Sequence, residues 1–282
     1  LFCSIFDFSY MELDVELFQW YRPVKVTAAK IKEPLFENQK MAQEAESYLS
    51  VVMENHDQPR SLSKWFAKEE IGYETAALLA VMNLTLRGIP FIYQGEEIGM
   101  ENIHFDDIHQ YEDVMMWGQY QRAKQEGCTE EECLDMANRR SRDHARTPMQ
   151  WDDSENAGFT TGIPWFPVNP NYKKINAKTQ ENGKSILNFY RELTAFRKSE
   201  EWKDVLVYGS LEPVLEKEKN VIAYKRSLDG KELLVLLNFV NRPQKIHLEK
   251  EPKRALISNY PLEEIRSREY EMKPFEAVVL EV

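Results

Sequence analysis

The alternation of strand-like and helix-like segments in the first hundred residues is the feature that most constrains the fold. Short apolar stretches at 1–10, 48–53 and 91–93 predict strands, and the segments 25–47 and 74–86 between them are rich in helix formers. Strands separated by helices are typical of a parallel sheet with crossover connections, because parallel neighbours cannot be joined by a tight turn. The first part of the chain is therefore expected to be α/β.

Proline and capping residues set further expectations for the helices. Pro34 is expected to mark a break or a start within 25–47, and Pro90 to punctuate the chain before the third strand. A long polar excursion follows, in which a helix is predicted over 129–143 with Thr129 as its N-cap. Helical spacing of apolar residues returns over 185–198.

From about Asp204 the hydrophobic period changes to two, which indicates short strands. The predicted strands are 205–208, 221–224, 233–239, 246–248, 255–257 and 277–282. Asp229-Gly230 predicts a tight hairpin between two of them. Two domains are therefore expected, an α/β part over 1–200 and an antiparallel β domain over 201–282.

Composition narrows the classes of partner. The 282 residues carry 36 Lys and Arg against 47 Asp and Glu, a net charge of −11, which disfavours nucleic acid and favours a neutral or cationic small molecule. The longest purely apolar run is shorter than the roughly 20 residues of a membrane span, so no membrane partner is expected. The first residues are neither Met nor basic, so we expect no signal peptide and interpret the chain as part of a longer polypeptide. Three cysteines without zinc spacing favour a reducing cytoplasm.

A carboxylate, an imidazole and a guanidinium follow the second predicted strand, where 54–60 reads Glu-Asn-His-Asp-Gln-Pro-Arg. Active-site residues of parallel α/β barrels lie on loops at the carboxyl ends of the strands, so His56 and Asp57 are candidates. Taken alone, the segment is better explained structurally. Asp57 would cap the next helix and Arg60 would pair with an acidic neighbour.

Two further segments carry the same ambiguity. Segment 93–100, Tyr-Gln-Gly-Glu-Glu-Ile-Gly-Met, follows the third strand and taken alone is a turn with solvated acids. Segment 145–152, Ala-Arg-Thr-Pro-Met-Gln-Trp-Asp, is compatible with the wall of a sugar pocket, since aromatic rings lie well against the apolar faces of sugars. Taken alone it is better explained as a structural loop packed by Trp151.

Together these segments resemble the α-amylase family of glycoside hydrolases, and within it the oligo-1,6-glucosidase group. That group includes dextran glucosidases, trehalose-6-phosphate hydrolases and sucrose isomerases. The similarity runs in order through 55–60, 88–100, 146–152 and 158–172 and extends over nearly the whole chain. It implies a (β/α)8 barrel followed by an antiparallel β-sandwich domain. Because only three strand candidates precede the β domain, we expect this chain to supply the last three strands of the barrel.

The resemblance also implies roles for individual residues. Asp57 is implied to be the carboxylate that stabilises the oxocarbenium-like transition state, and His56 to hydrogen-bond the same sugar. Arg146 is implied to lie at the pocket floor, paired with an Asp of the missing half, which closes the pocket around one terminal glucose and implies exo action. In the family the nucleophile and the acid follow the fourth and fifth strands, and no segment of this chain matches either.

One loop departs from the family pattern. Members of the group often carry Tyr-Arg-Asp-x-Glu after the last barrel strand, whereas this chain has Tyr-Glu-Asp-Val-Met over 111–115. Glu112 replaces a cation, and Met115 replaces an acid associated with the acceptor side of the substrate. Substrate choice beyond the first glucose is therefore open at this point.

The leading hypothesis is the C-terminal portion of a cytoplasmic, retaining α-glucosidase acting on α-1,6-linked isomalto-oligosaccharides. One alternative is a trehalose-6-phosphate hydrolase or a sucrose-acting relative. Another, from a different class, is a non-catalytic fragment that binds sugar weakly and self-associates. We expect no metal and no cofactor in this chain, an oligosaccharide as the substrate, and either the missing barrel half or a second copy as the protein partner.

Overall fold

A computed structural model describes residues 4–265 and 267–282. Within these residues the strands are β1 Ser4–Phe6, β2 Val15–Glu16, β3 Gln19–Pro23, β4 Tyr48–Val52, β5 Gly88–Phe91, β6 Ser210–Val214, β7 Val221–Leu228, β8 Lys231–Asn238, β9 Gln244–His247, β10 Arg254–Ser258, β11 Glu269–Met272 and β12 Ala277–Glu281. The α-helices are α1 Ala28–Glu44, α2 Ser61–Trp65, α3 Tyr73–Thr85, α4 Val114–Gln125, α5 Glu130–Arg140, α6 Ile186–Lys198 and α7 Lys203–Val207. Short 3-10 turns fill much of the long loop between β5 and α6.

The three predicted strands form a parallel sheet in the order β1-β4-β5. Residues 1–3 of the first predicted strand lie outside the described residues. The third strand was predicted at 91–93 but occupies Gly88–Phe91, so the prediction that Pro90 precedes the strand was wrong. Pro90 fits because β5 is an edge of the described sheet, where a strand can lack one N–H donor.

The crossover helices α1 and α3 pack into one core with the sheet, and α3 is buried along almost its whole length. The prediction that Pro34 breaks or starts a helix was wrong, because Pro34 lies inside α1. The helix begins instead at Thr27, whose hydroxyl accepts a hydrogen bond from the Lys30 N–H at 3.3 Å. A capping side chain therefore sets this end, as it does at α5, where Thr129 is the N-cap as predicted.

The excursion after β5 has a small core of its own. The hairpin of β2 and β3 packs with α4 and α5 around Trp20, Phe105 and Met116. The predicted helix 129–143 ends at Arg140, and a 3-10 segment from Arg142 to Arg146 replaces its last turn. The 3-10 segment matters for the site because it places Arg142 and Arg146 near the carboxyl ends of the parallel strands.

A strand predicted at 205–208 is wrong, because those residues belong to the helix α7 and the turn that follows it. The helix is favoured because its last carbonyl groups accept hydrogen bonds from a buried arginine side chain. The side chain of Arg226, fully buried in β7, donates to the carbonyls of Val205 and Leu206 at 3.0 Å and of Gly209 at 2.9 Å. α7 contacts both α6 and β7, and the domain boundary after residue 200 stays a prediction.

The last part of the chain is an antiparallel five-stranded sheet in the order β10-β12-β8-β7-β6. Asp229 and Gly230 form the predicted hairpin between β7 and β8, and both have positive φ, 50° and 81°. One face of the sheet packs on the helices of the α/β part, and the other is covered by the β9–β11 pair. Both faces are thus buried. No helix of the described residues is long and apolar enough to cross a membrane.

Candidate functional site

The loop after β4 leaves its strand as a buried ion pair and then turns outward. The Glu54 carboxylate accepts hydrogen bonds from Arg60 Nη1 at 3.0 Å and from the Ser61 N–H at 2.8 Å, and both charged side chains are buried. Arg60 thus pairs with an acidic neighbour, as expected for a structural residue. These hydrogen bonds hold the two ends of the loop together. His56 and Asp57 lie between these ends, and their side chains are 72% and 50% exposed at the end of the strand.

The Asp57 carboxylate contacts three basic side chains at this edge of the sheet. Its Oδ1 accepts hydrogen bonds from Arg146 Nη2 at 3.1 Å and Arg142 Nη1 at 3.2 Å, while Oδ2 lies 3.1 Å from His56 Nε2. The Asp57 N–H donates to the Asn55 side chain at 2.7 Å, which fixes the turn. Asp57 therefore does not cap α2, and its half-exposed carboxylate keeps access to a ligand.

The structure brings the three predicted site residues together. Arg146 reaches Asp57 and also donates from Nε to the carbonyl of His56 at 3.0 Å. Arg142 was not predicted; it bridges Asp57 to the buried Asp113, whose Oδ1 accepts from Arg142 Nε at 2.8 Å. Partial burial disfavours the charged guanidinium, but Asp113 and Asp57 outweigh it and raise the pKa of Arg142. Arg142 is therefore a fixed positive charge beside Asp57.

A cavity of about 540 Å³ opens beside these groups at the strand ends. Its polar side carries His56, Asp57 and Gln58, and its apolar side carries Phe6 and Phe91. Tyr93 also lines it, and its hydroxyl donates to the Ala145 carbonyl at 3.0 Å. This contact fastens the loop that carries Arg146 to the end of β5.

Glu96 was expected to be a solvated acid of a turn, and that prediction is wrong. The side chain is buried and accepts hydrogen bonds from Tyr190 Oη at 2.8 Å and Asn83 Nδ2 at 3.2 Å. Burial, followed by the nearby charge of Glu54, raises its pKa to about 8. Because the Tyr93 N–H also donates to Glu96, this carboxyl supports the site loop from behind.

The arrangement can bind and orient a neutral polyhydroxy ligand. A half-exposed carboxylate accepts hydrogen bonds from hydroxyl groups, and guanidinium and imidazole N–H groups donate to hydroxyl oxygens. A retaining glycosidase also needs a nucleophile and an acid about 5 Å apart. The buried acids Glu54 and Glu96 are committed to structural hydrogen bonds, so they do not supply that pair. Within the described residues no group of three or more His, Cys, Asp or Glu could hold a metal ion.

Sequence reasoning missed Arg142 because nothing in its spacing separates it from other arginines of a polar loop. The pattern Arg-Asp-His-Ala-Arg over 142–146 becomes informative only as a 3-10 segment, in which the first and fifth residues both reach Asp57. Trp151 was predicted to pack segment 145–152 as a structural loop. Its side chain is instead 52% exposed and does not fill a core.

Comparison with known proteins is consistent with this geometry. The model of the α-amylase catalytic domain matches residues 3–209, and that of the C-terminal domain of the α-amylase SusG matches residues 221–279. The chain belongs to the α-amylase family. The resemblance inferred from the sequence motifs is thereby confirmed. So is the fold class, with three parallel strands from a barrel followed by an antiparallel domain.

Individual relatives point to one group within the α-amylase family. The chain is 36% identical to an oligo-1,6-glucosidase of Parageobacillus thermoglucosidasius over 99% of its own length and 50% of the relative's. It is 35% identical to a glucan 1,6-alpha-glucosidase of Streptococcus pneumoniae over 99% of its length and 52% of the relative's. Among solved structures, an isomaltulose synthase of Klebsiella sp. LX3 matches with a TM-score of 0.91 at 31% identity, covering 99% of this chain and 50% of that one. The chain spans about half the length of these relatives.

Proposed function

We propose that this chain is the C-terminal portion of a retaining, exo-acting α-glucosidase that hydrolyses α-1,6-glucosidic bonds of isomalto-oligosaccharides. The observation that carries the proposal is the convergence of His56, Asp57 and Arg146 within hydrogen-bond distance at the strand ends of an α-amylase-family sheet. The choice of linkage is supported by relatives named oligo-1,6-glucosidase and glucan 1,6-alpha-glucosidase.

In this proposal Asp57 accepts hydrogen bonds from two hydroxyls of the terminal glucose. Such bonds strengthen as the ring flattens toward the oxocarbenium-like transition state, so they lower the barrier more than they tighten substrate binding. Arg142 and Arg146 orient the carboxylate through their hydrogen bonds to it, and His56 donates to the same sugar. The nucleophile and the acid come from the half of the barrel that this chain does not contain.

The test is turnover of isomaltose by the longer polypeptide that contains this chain, with Asp57→Asn. The amide keeps the shape but removes the charge, so kcat is expected to fall by about 10²–10³-fold while KM changes little. Asp106→Asn is the matched control, because the Asp106 side chain is fully exposed away from the site. Near-normal turnover by the Asp57 variant would reject the role of Asp57.

A second candidate activity rests on other relatives. The chain is also 34% identical to a trehalose-6-phosphate hydrolase of Bacillus subtilis over 83% of its length. Rates on trehalose 6-phosphate and on isomaltose, measured with one preparation of the longer polypeptide, separate the two activities. Faster turnover of the phosphorylated sugar would replace the leading proposal.

For the isolated chain we propose no hydrolysis and a tendency to self-associate. Its parallel sheet exposes Ile5, Phe6, Phe8 and Phe91, which are between 42% and 63% exposed. Exposed apolar surface beside unpaired strand edges favours association with another chain. Sedimentation of the purified chain together with an isomaltose assay tests this. Turnover by a monomer would contradict both parts.

A further inference from the structure

An exposed indole is connected to Asp57 by a short series of contacts through Glu112 and Arg142. Trp165 is 67% exposed, and its Nε1–H donates to the carboxylate of Glu112 at 2.9 Å. A single exposed apolar residue needs no explanation, but an exposed Trp held in one orientation by a hydrogen bond has a defined ring plane. The orientation of Trp165 is therefore set before any ligand arrives.

Trp165 forms part of a groove with the composition of a small-ligand site. The groove encloses about 500 Å³ and is lined by Trp165, Tyr172, Pro164, Pro167, Asn156 and Glu155, among others. Aromatic and apolar walls with a few polar groups are typical of sites that bind small molecules. Glu155 lines the groove and the Glu112 carboxylate contacts its Trp165, so the nearby negative charge favours a neutral ligand over a phosphorylated one.

The segment that carries Trp165 is fixed by its own contacts. The Asn156 amide donates to the carbonyls of Thr160 at 3.2 Å and Gly162 at 3.0 Å. The buried Phe166 packs on Trp165 with ring centroids 4.4 Å apart. Since little conformational freedom is left to lose, a ligand on this surface meets a small ordering cost.

A short run of contacts joins this groove to Asp57. Trp165 contacts Glu112, and the next residue, Asp113, holds Arg142, which in turn contacts Asp57. The 3-10 segment also receives the Glu112 N–H, which donates to Asp143 at 2.7 Å. These contacts fix the position of Trp165 relative to Asp57.

We propose that Trp165 and Glu112 form a leaving-group-side subsite for a glucosyl unit of a neutral oligosaccharide. The indole packs against the apolar C–H face of the sugar ring. The Glu112 carboxylate accepts a hydrogen bond from a sugar hydroxyl as well as the one from the indole N–H. This inference rests on the proposed function, because it takes the terminal glucose to lie at Asp57.

The test is a titration of the 282-residue chain with glucose, isomaltose and isomaltotriose, followed by NMR of the indole N–H signals. The Trp165 signal is assigned as the one missing in Trp165→Phe. Isomaltotriose is expected to shift that signal and to bind about five- to tenfold more tightly than glucose. Trp165→Ala is expected to abolish the gain with chain length and to leave glucose affinity unchanged. Tyr208→Ala, which removes a 61% exposed aromatic ring elsewhere, is the control and should keep the gain.

The outcomes separate this inference from the proposed function. If isomaltotriose binds no more tightly than glucose, or if Trp165→Ala keeps the gain, the subsite is refuted while glucose binding at Asp57 can stand. If Asp57→Ala, which removes both hydrogen-bond acceptors, leaves glucose affinity unchanged while the Trp165 signal still responds to isomaltotriose, the assignment of the first glucose fails and the groove stands as a sugar site. Absence of binding by all three sugars overturns the subsite.

Discussion

The two sheets of this molecule differ in how far their faces are buried. The antiparallel sheet buries both faces, and Leu233, Val235 and Leu237 of β8 are fully buried against the helices. The parallel sheet leaves Ile5, Phe6 and Phe91 exposed on its strands, and its outer strands β1 and β5 have no further neighbours among the described residues. Parallel sheets are normally covered on both faces. Both faces of the antiparallel sheet are therefore covered within this chain, whereas the parallel sheet that carries the site is an open section of an α-amylase-family barrel.

The largest effect is expected where the two parts join. Arg226→Leu leaves the carbonyls of Val205, Leu206, Gly209 and Thr85 without this donor and is expected to cost about 3–5 kcal/mol of unfolding free energy, since each buried acceptor left unpaired costs about 1–3 kcal/mol. Urea unfolding measures this. The neighbouring Lys225→Ala, which removes only pairs to exposed acids, should cost less than about 1 kcal/mol. Equal costs for the two variants would show that the join does not depend on Arg226.

A pair of truncations compares the two sheets directly. Leu236→Ala in β8 should cost about 2–5 kcal/mol, because it opens a cavity in a fully buried core. Phe91→Ala in β5 should cost less, about 1 kcal/mol, because 42% of that residue is already in water. Both values come from urea unfolding. A Phe91 variant as costly as the Leu236 variant would contradict the description of the parallel sheet as open.

A buried histidine beneath the site predicts an acid-sensitive region. Burial lowers the pKa of His144 to about 4 from its usual 6.5, so between these values the unfolded chain binds a proton that the folded chain does not. Stability should therefore fall as pH falls from 6.5 to 4, by up to about 1.4 kcal/mol per pH unit for this group. His144→Gln keeps a donor for the Ala137 carbonyl and should flatten that slope, with no change in slope above pH 7. If the slope of unfolding free energy against pH between 4.5 and 6.5 is the same in the variant, His144 does not cause the acid sensitivity.

The smallest effect concerns the open sheet edge. Replacing Phe6 and Phe91 together by Ser is expected to weaken self-association of the isolated chain about tenfold, because each loses apolar area that a second copy would cover. Analytical ultracentrifugation measures the change. Tyr208→Ser, at an exposed position outside the sheet, should have no effect. Undiminished association of the double variant would place the contact elsewhere.

The local signals of the sequence predicted some elements of the two parts correctly and others not. The parallel arrangement of the first strands, the cap Thr129 and the Asp229-Gly230 turn follow from local signals that the structure confirms. The secondary structure of residues 205–208 could not be predicted from local sequence, because their apolar and β-branched side chains fit a strand pattern. The helix depends instead on hydrogen bonds from Arg226, which is distant in sequence. Local propensity was overridden by a long-range contact.

The candidate site shows the same division. His56, Asp57 and Arg146 were found from motif resemblance, and the structure places them in contact. Arg142 and the burial of Glu96 could not be found that way, since both depend on which side chains the loops bring together in space. Sequence motifs locate the exposed groups of such a site, whereas the groups that hold them are visible only in three dimensions.

The most direct test is a crystal structure, with glucose bound, of the longer polypeptide that contains this chain. The account predicts a glucose ring whose hydroxyls lie about 3 Å from the Asp57 carboxylate and from His56 Nε2, with Arg146 at the base of the same pocket. A glucose bound elsewhere, with Asp57 still closed onto Arg142 and Arg146 and free of sugar contacts, would contradict it.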